Sequence, residues 1–66
     1  MEFQDYLVLD IISRKNPDRV LKRYFYDDRE EAINSFERHK GRGDLVRVVL
    51  TSCQGIVLED WKREDD

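Results

Sequence analysis

The stretch DDREEAINSFERHKGRG, residues 27–43, decides the fold because it predicts the clearest helix of the chain. Either aspartate at its start can cap the N-terminus, and the two glutamates that follow lie in the first turn, where the helix dipole favours anions. Ala32, Ile33 and Phe36 form one narrow apolar stripe, and the glycines at the end supply a stop. We therefore predict a helix from about Asp28 to Lys40 with one face on a core.

Two segments before this helix and two after it have the two-residue side-chain alternation of β-strands. The predicted strands are Phe3–Ile12, Val20–Tyr26, Asp44–Ser52 and Ile56–Lys62. Asn16-Pro17-Asp18 and Gln54-Gly55 supply the turns of two hairpins. The order 2-1-3-4 makes every pair of neighbouring strands antiparallel. The sequence thus predicts a single α+β domain over residues 1–66, β-β-α-β-β, with a four-stranded antiparallel sheet and one helix on one face. The acidic tail, residues 63–66, is expected to fray.

The composition limits the classes of function. A chain of 66 residues can build only a small core, so a partner is a plausible source of extra stability. One Cys and one His without clustered ligand spacing indicate no metal and no other cofactor, and a single Cys excludes a disulfide within the chain. The net charge of −3 argues against general binding to a phosphate backbone. We expect no membrane span and no signal peptide, and the lone thiol favours a cytoplasmic location.

The second strand, VLKRYFY at residues 20–26, has large apolar side chains at both its even-numbered and its odd-numbered positions. Since one helix can cover only one face of four strands, we divide the sheet into a covered face and an open face. The covered face is expected to take Leu7, Leu9, Ile11, Leu21, Phe25, Val46, Val48, Leu50, Ile56 and Leu58. The open face is expected to show Tyr6, Val8, Ile12, Val20, Tyr24, Tyr26, Val49, Val57 and Trp61, with Lys22, Arg47 and Arg63 among them.

An open face of this composition is too apolar for a merely solvated sheet, and large apolar patches usually mark interaction sites. The predicted partner-binding residues are Tyr6, Lys22, Tyr24, Tyr26, Arg47 and Trp61. Contact with a protein ranks first, most simply as a homodimer. Ordinary cross-strand packing of tyrosines ranks second. Stacking of nucleic-acid bases ranks third because of the negative net charge.

The remaining motifs favour structural roles. Arg42-Gly43-Asp44 matches an adhesion tripeptide but is better explained as a helix stop that leads into a strand. His39, near a helix end, has no nucleophile at a recognisable spacing, and nothing marks the Cys53 thiolate as stabilised. The sequence shows no phosphate loop and no nucleophile elbow, so we do not expect an enzyme.

The segment YFYDDREEAINSFERHKGRGDLVRVVL, residues 24–50, resembles small bacterial and phage modules. In those modules a strand, an Asp cap, EEA and a Phe lead into a glycine stop and a second hairpin. In size and charge the chain is similar to proteins of phages and mobile elements that block host machinery, anti-CRISPR inhibitors among them. This resemblance implies a class of function and carries no site residues over.

The sequence therefore predicts a small acidic, non-catalytic protein-interaction module, and the resemblance extends this to an inhibitor that occludes a host protein or nucleoprotein complex. The alternative is a module that binds single-stranded nucleic acid on the aromatic sheet face.

Overall fold

The computed structural model describes residues 6–63. They form β1 (Leu7–Ser13), β2 (Lys22–Tyr26), α1 (Arg29–Lys40), β3 (Leu45–Ser52) and β4 (Val57–Lys62). The strands form one antiparallel sheet of order β2-β1-β3-β4, and the helix packs mainly on β3 and β1. The predicted α+β class and strand order are confirmed. The predicted start of the first strand at Phe3 lies outside the described residues, as do residues 64–66 of the tail predicted to fray. Arg63, the first residue of that predicted tail, donates its N–H to the Val46 carbonyl at 2.8 Å.

Helix α1 begins and ends close to the predicted positions. Asp28 is the N-cap, and its Oδ1 accepts a hydrogen bond of 3.0 Å from the backbone N–H of Glu30. Gly41 closes the helix with φ near −78°, and its N–H donates to the carbonyl of Arg38, so this stop needs no left-handed residue. The charges follow the helix dipole, with acids in the first turn and bases in the last.

The face that α1 buries differs by one residue from the predicted stripe. Ala32 and Phe36 are buried as expected, but Ile33 is 43 % exposed and Ser35 is buried in its place. Successive helical residues are about 100° apart, so Ile33 points beside the sheet's centre, toward β4, while Ser35 lies over β2. The serine can be buried because its hydroxyl is hydrogen-bonded to Tyr26.

The core lies between α1 and one face of the sheet, which we call the helix side. Leu9, Ile11, Val48 and Leu50, all predicted to be covered, are at most 2 % exposed. Cross-strand register aligns them as the pairs Leu9–Leu50 and Ile11–Val48. Residues that face each other across a ladder share a sheet face, so these pairs define the helix side.

The predicted faces of β2 are wrong. Tyr24 is opposite Leu9 and Tyr26 is opposite Leu7, so both tyrosines lie on the helix side and pack against the core. Phe25, predicted to be covered, is 64 % exposed. A tyrosine can bury its ring and keep its hydroxyl bonded, which makes it a suitable flank for a small core. Leu21 is 53 % exposed because it precedes the strand.

Two β-bulges explain the remaining errors on β3 and β4. A bulge adds one residue to a strand and moves the residues beyond it to the other face. Val46 is the extra residue of β3, which brings Leu45 into the core with 0 % exposure. Leu58 is the extra residue of β4, so that Trp61 faces Val48 on the helix side. Ile56, also predicted to be covered, is 57 % exposed ahead of β4.

Candidate interaction surface

The face opposite α1 carries a row of apolar side chains, which we call the apolar row. Val8 is opposite Phe25 on one side and Thr51 on the other, and Thr51 is in turn opposite Val57. Phe25 and Val57 are 64 % and 56 % exposed. Tyr6 extends the row, since its ring meets Phe25 edge-on with centroids 6.0 Å apart. No described element covers this row, so large apolar groups meet water.

Two bidentate ion pairs cross the same face beside the apolar row. Arg23 donates to both carboxylate oxygens of Asp10, at 2.7 and 3.3 Å. Arg47 does the same to Asp60, at 2.9 and 2.7 Å. These hydrogen bonds lower the pKa of the Asp60 carboxyl and raise the pKa of the Arg47 guanidinium. Exposed pairs add little stability, but here they leave this part of the face nearly neutral.

The structure brings only two of the six predicted partner-binding residues to this face, namely Tyr6 and Arg47. Lys22, Tyr24, Tyr26 and Trp61 lie on the helix side, which corrects the surface predicted from the sequence. The ammonium of Lys22 is 5.2 Å from the centre of the Tyr24 ring. The open face therefore keeps its apolar character through different residues.

Phe25, Asp10, Arg23 and Asp60 belong to the open face and were not identified from the sequence. One signal was present: Asp10 shares the parity of Val8, and an aspartate within a strand needs a cation opposite it. Pairing Asp10 with Arg23 places Phe25 on the open face and the neighbouring tyrosines on the helix side. Charge pairing across the first hairpin would thus have corrected β2.

A cluster of Tyr26, Ser35 and His39 links β2 to the helix. The Tyr26 hydroxyl and the Ser35 Oγ are 2.6 Å apart, and His39 Nδ1 donates to the Ser35 carbonyl oxygen at 2.8 Å. The His39 ring also packs 5.4 Å from the Tyr24 ring. Ser35 is 4 % exposed, so a substrate cannot reach its hydroxyl. The contacts of the cluster are those of a polar clamp that orients α1 on the sheet.

A groove on the helix side separates α1 from β4. It has a volume of about 560 Å³ and is lined by Ile33, Phe36, Leu58 and Trp61 together with charged side chains of both elements. The groove exists because the helix rests on β3 and β1 and leaves the edge strand uncovered. It is a second apolar surface, but two of its lining residues, Phe36 and Leu50, are already part of the core.

Two further classes of site are absent from residues 6–63. No group of three or more His, Cys, Asp and Glu side chains in this range could hold a metal ion. No helix in the same range is long and apolar enough to cross a membrane.

Comparison of the chain with protein families, with curated proteins and with solved structures finds no match. The resemblance to phage modules therefore stays a prediction.

Proposed function

We propose that this chain is a small protein-interaction module that works by covering a surface and not by catalysis. The observation that carries the proposal is the apolar row on a sheet face that no described element covers. Phe25 alone leaves 64 % of its surface in water next to Tyr6, and Val57 is 56 % exposed at the other end of the row. Contiguous exposed apolar groups that include aromatic side chains and lie beside polar groups are typical of protein interfaces.

The occupant we propose for this face is a second copy of the chain. Arg23 and Arg47 are each paired with a carboxylate, so two such faces can meet without repulsion between like charges. In a two-fold dimer the apolar row of each copy would pack against the same row of the other copy in an isologous contact. The apolar row would then be removed from water on both copies.

The size of the face limits the affinity. Four strands about 4.8 Å apart and about six residues long span roughly 400 Å² per copy. Two copies would bury roughly 800 Å² or somewhat more, which is below the range of stable specific complexes and within that of weak, transient ones. We therefore expect a weak dimer that a larger partner surface could displace.

Displacement of this kind suits an inhibitor. A cytoplasmic module that occludes a host protein or nucleoprotein complex would use the same face, and the proposal includes this role. The alternative use, stacking of single-stranded nucleic acid, is less well supported. The face offers the two rings of Tyr6 and Phe25, and its arginines Arg23 and Arg47 already bind carboxylates.

The experiment is sedimentation equilibrium over a concentration range from about 10 to about 500 µM, which brackets a weak interface. Phe25→Glu places a charge in the apolar row and should weaken self-association by at least about tenfold. Ile33→Glu is the matched control, because Ile33 is 43 % exposed on the other side of the molecule. A wild-type chain that stays monomeric throughout, or equal effects of the two variants, would contradict the proposed dimer.

A further inference from the structure

The basic side chains of this protein are concentrated at one end of the sheet. β1 ends there at Ser13 and β2 begins nearby, while α1 ends and β3 begins at the same level. β4 also ends there, at Lys62. Of the twelve Lys and Arg residues, nine belong to this end: Arg14, Lys15, Arg19, Lys22, Arg38, Lys40, Arg42, Lys62 and Arg63. We call this surface the basic end.

Backbone contacts join three segments of the basic end into one surface. The N–H of Arg14, in the β1–β2 loop, donates to the carbonyl of Asp44 at 3.0 Å. The guanidinium of Arg63, after β4, donates to the carbonyls of Leu45 and Arg42 at 2.9 and 2.6 Å. The first hairpin, the α1–β3 connection and the end of β4 are thus held together.

Few carboxylates among the described residues offset these cations. Asp44 forms a salt bridge with Arg42 at 2.7 Å, and Glu37 forms one with Lys40 at 2.7 Å. Asp18 lies in the β1–β2 loop. Within residues 6–63, salt bridges are absent for a further set of cations: Lys15, Arg19, Arg38 and Lys62.

The opposite end of the sheet is acidic. Asp27, Asp28, Glu30 and Glu31 surround the start of α1, with Arg29 as the cation among them. All twelve Lys and Arg lie in residues 6–63, whereas five of the fifteen acidic residues lie outside this range. Within residues 6–63 the charge is thus segregated between two unlike ends, which the net charge of −3 for the whole chain does not show.

The helix dipole accounts for only part of this segregation. Cations in the last turn of a helix are stabilising, which explains Arg38 and Lys40. The same effect falls off within one turn and does not reach Lys15 or Arg19 in the hairpin loop, nor Lys62 on β4. A surface that collects cations from three separate segments needs another explanation.

We propose that the basic end binds the phosphate backbone of nucleic acid. Four strands about 4.8 Å apart give the end a width of about 15 Å, which matches about four successive phosphates of one strand. Two of its arginines, Arg19 and Arg38, have no salt bridge within residues 6–63, and a planar guanidinium can pair with phosphate through two hydrogen bonds. The contact reads no bases and involves none of the apolar row.

The chemistry favours a polyanion of phosphates over an acidic protein. The centres of protein interfaces are depleted in charged residues, whereas interfaces with nucleic acid are rich in positive charge. The acidic end, which nucleic acid repels, would point away and orient the module on the strand. A chain bound in this way still presents its open sheet face, so this surface is independent of the function proposed above.

The experiment is fluorescence anisotropy with a labelled duplex DNA of about 20 base pairs at about 50 mM salt, where phosphate contacts are strong. We expect a dissociation constant in the micromolar range. With about four phosphates neutralised, the affinity should fall roughly 100-fold between about 50 and about 200 mM salt. No detectable binding, or binding that salt does not weaken, would overturn the proposal.

A pair of charge reversals locates the surface. Arg19→Glu, at the basic end, should weaken binding by about fivefold or more, since it removes one phosphate contact and adds a repulsion. Arg29→Glu changes the net charge equally but lies at the acidic end and should leave binding within about twofold of the wild type. Equal loss in both variants would show that net charge alone governs binding and would refute the proposed site.

Poly-glutamate serves as the competitor that distinguishes phosphate from carboxylate. At equal total charge, duplex DNA without a label should displace the labelled probe far better than poly-glutamate does. Equal competition would mean that the basic end accepts acidic polypeptides as readily, and the assignment to nucleic acid would fail.

Discussion

Replacing Phe36 by alanine should remove a large part of the stability of the fold. Phe36 is 6 % exposed and is the one aromatic side chain in the buried core cluster of the described residues. It packs from α1 onto the sheet, and the ammonium of Lys40 lies 5.3 Å from the centre of its ring. The substitution therefore leaves a cavity between α1 and the sheet.

The expected loss can be worked out from the buried area. A phenylalanine buries about 150–250 Å², which at about 25 cal/mol per Å² corresponds to roughly 4–6 kcal/mol. Partial burial in the unfolded chain reduces this value, so we expect a loss of about 3–5 kcal/mol in the free energy of unfolding. A domain of this length has about 3–10 kcal/mol in total, so the variant should be close to unfolding.

The assay is urea denaturation followed by circular dichroism, with Ile33→Ala as the control on the same helix. Ile33 is 43 % exposed and its truncation should cost about 1 kcal/mol or less. Phe36→Leu, which refills most of the space, should recover much of the loss. If Phe36→Ala destabilises no more than Ile33→Ala does, the packing of α1 on the sheet described above is wrong.

Three further changes test local features. Asp28→Ala removes the N-cap acceptor of α1 and should lower the free energy of unfolding by about 1 kcal/mol, measured by urea denaturation. Gly55→Ala should cost about 1–2 kcal/mol because Gly55 has φ of 85°, whereas Gly43→Ala, in open space at a negative φ, should be close to neutral. The Arg47 partner lowers the folded-state pKa of Asp60, so its contribution is present above the unfolded pKa and is lost as pH falls through the folded one. The melting temperature of Asp60→Asn should thus lie below that of the wild type near neutral pH and converge with it in acid, and a gap that persists in acid would contradict this pair.

The elements could be predicted from the sequence because each carries its own local signal. The Asp cap, the acidic first turn and the basic last turn placed α1 within one residue of its observed bounds. The turn residues of both hairpins, with a helix linking the hairpins, then left few topologies for the sheet, and the order β2-β1-β3-β4 followed. These signals act between near neighbours in the chain and need no knowledge of packing.

The faces of the strands could not be predicted in the same way. The bulges at Val46 and Leu58 change which parity faces the helix, and no residue type marks them in the sequence. In β2 both parities are apolar, and the choice depends on what lies opposite, namely Leu9 for Tyr24 and Val8 for Phe25. The sequence thus predicts that one sheet face is uncovered, but three of the four aromatic residues predicted for that face lie on the helix side.

Charge was misjudged for a related reason. The net charge does not say where the charged side chains lie. Only the fold shows that the loops after β1 and α1 meet beside the end of β4. The five acidic residues outside residues 6–63 also enter this total. The separation of basic from acidic side chains can be recognised only when it is known which strand ends lie at the same end of the sheet.

The central claim, that the uncovered sheet face is the interaction surface, is tested most directly by amide NMR spectra recorded at rising protein concentration. The amide signals of Val8, Phe25 and Thr51 should shift together as the face becomes occupied, and Phe25→Glu should abolish the shifts. The signals of Ile33 and Trp61, in the groove on the helix side, should stay in place. Shifts confined to the groove, or spectra that do not change with concentration, would contradict the account.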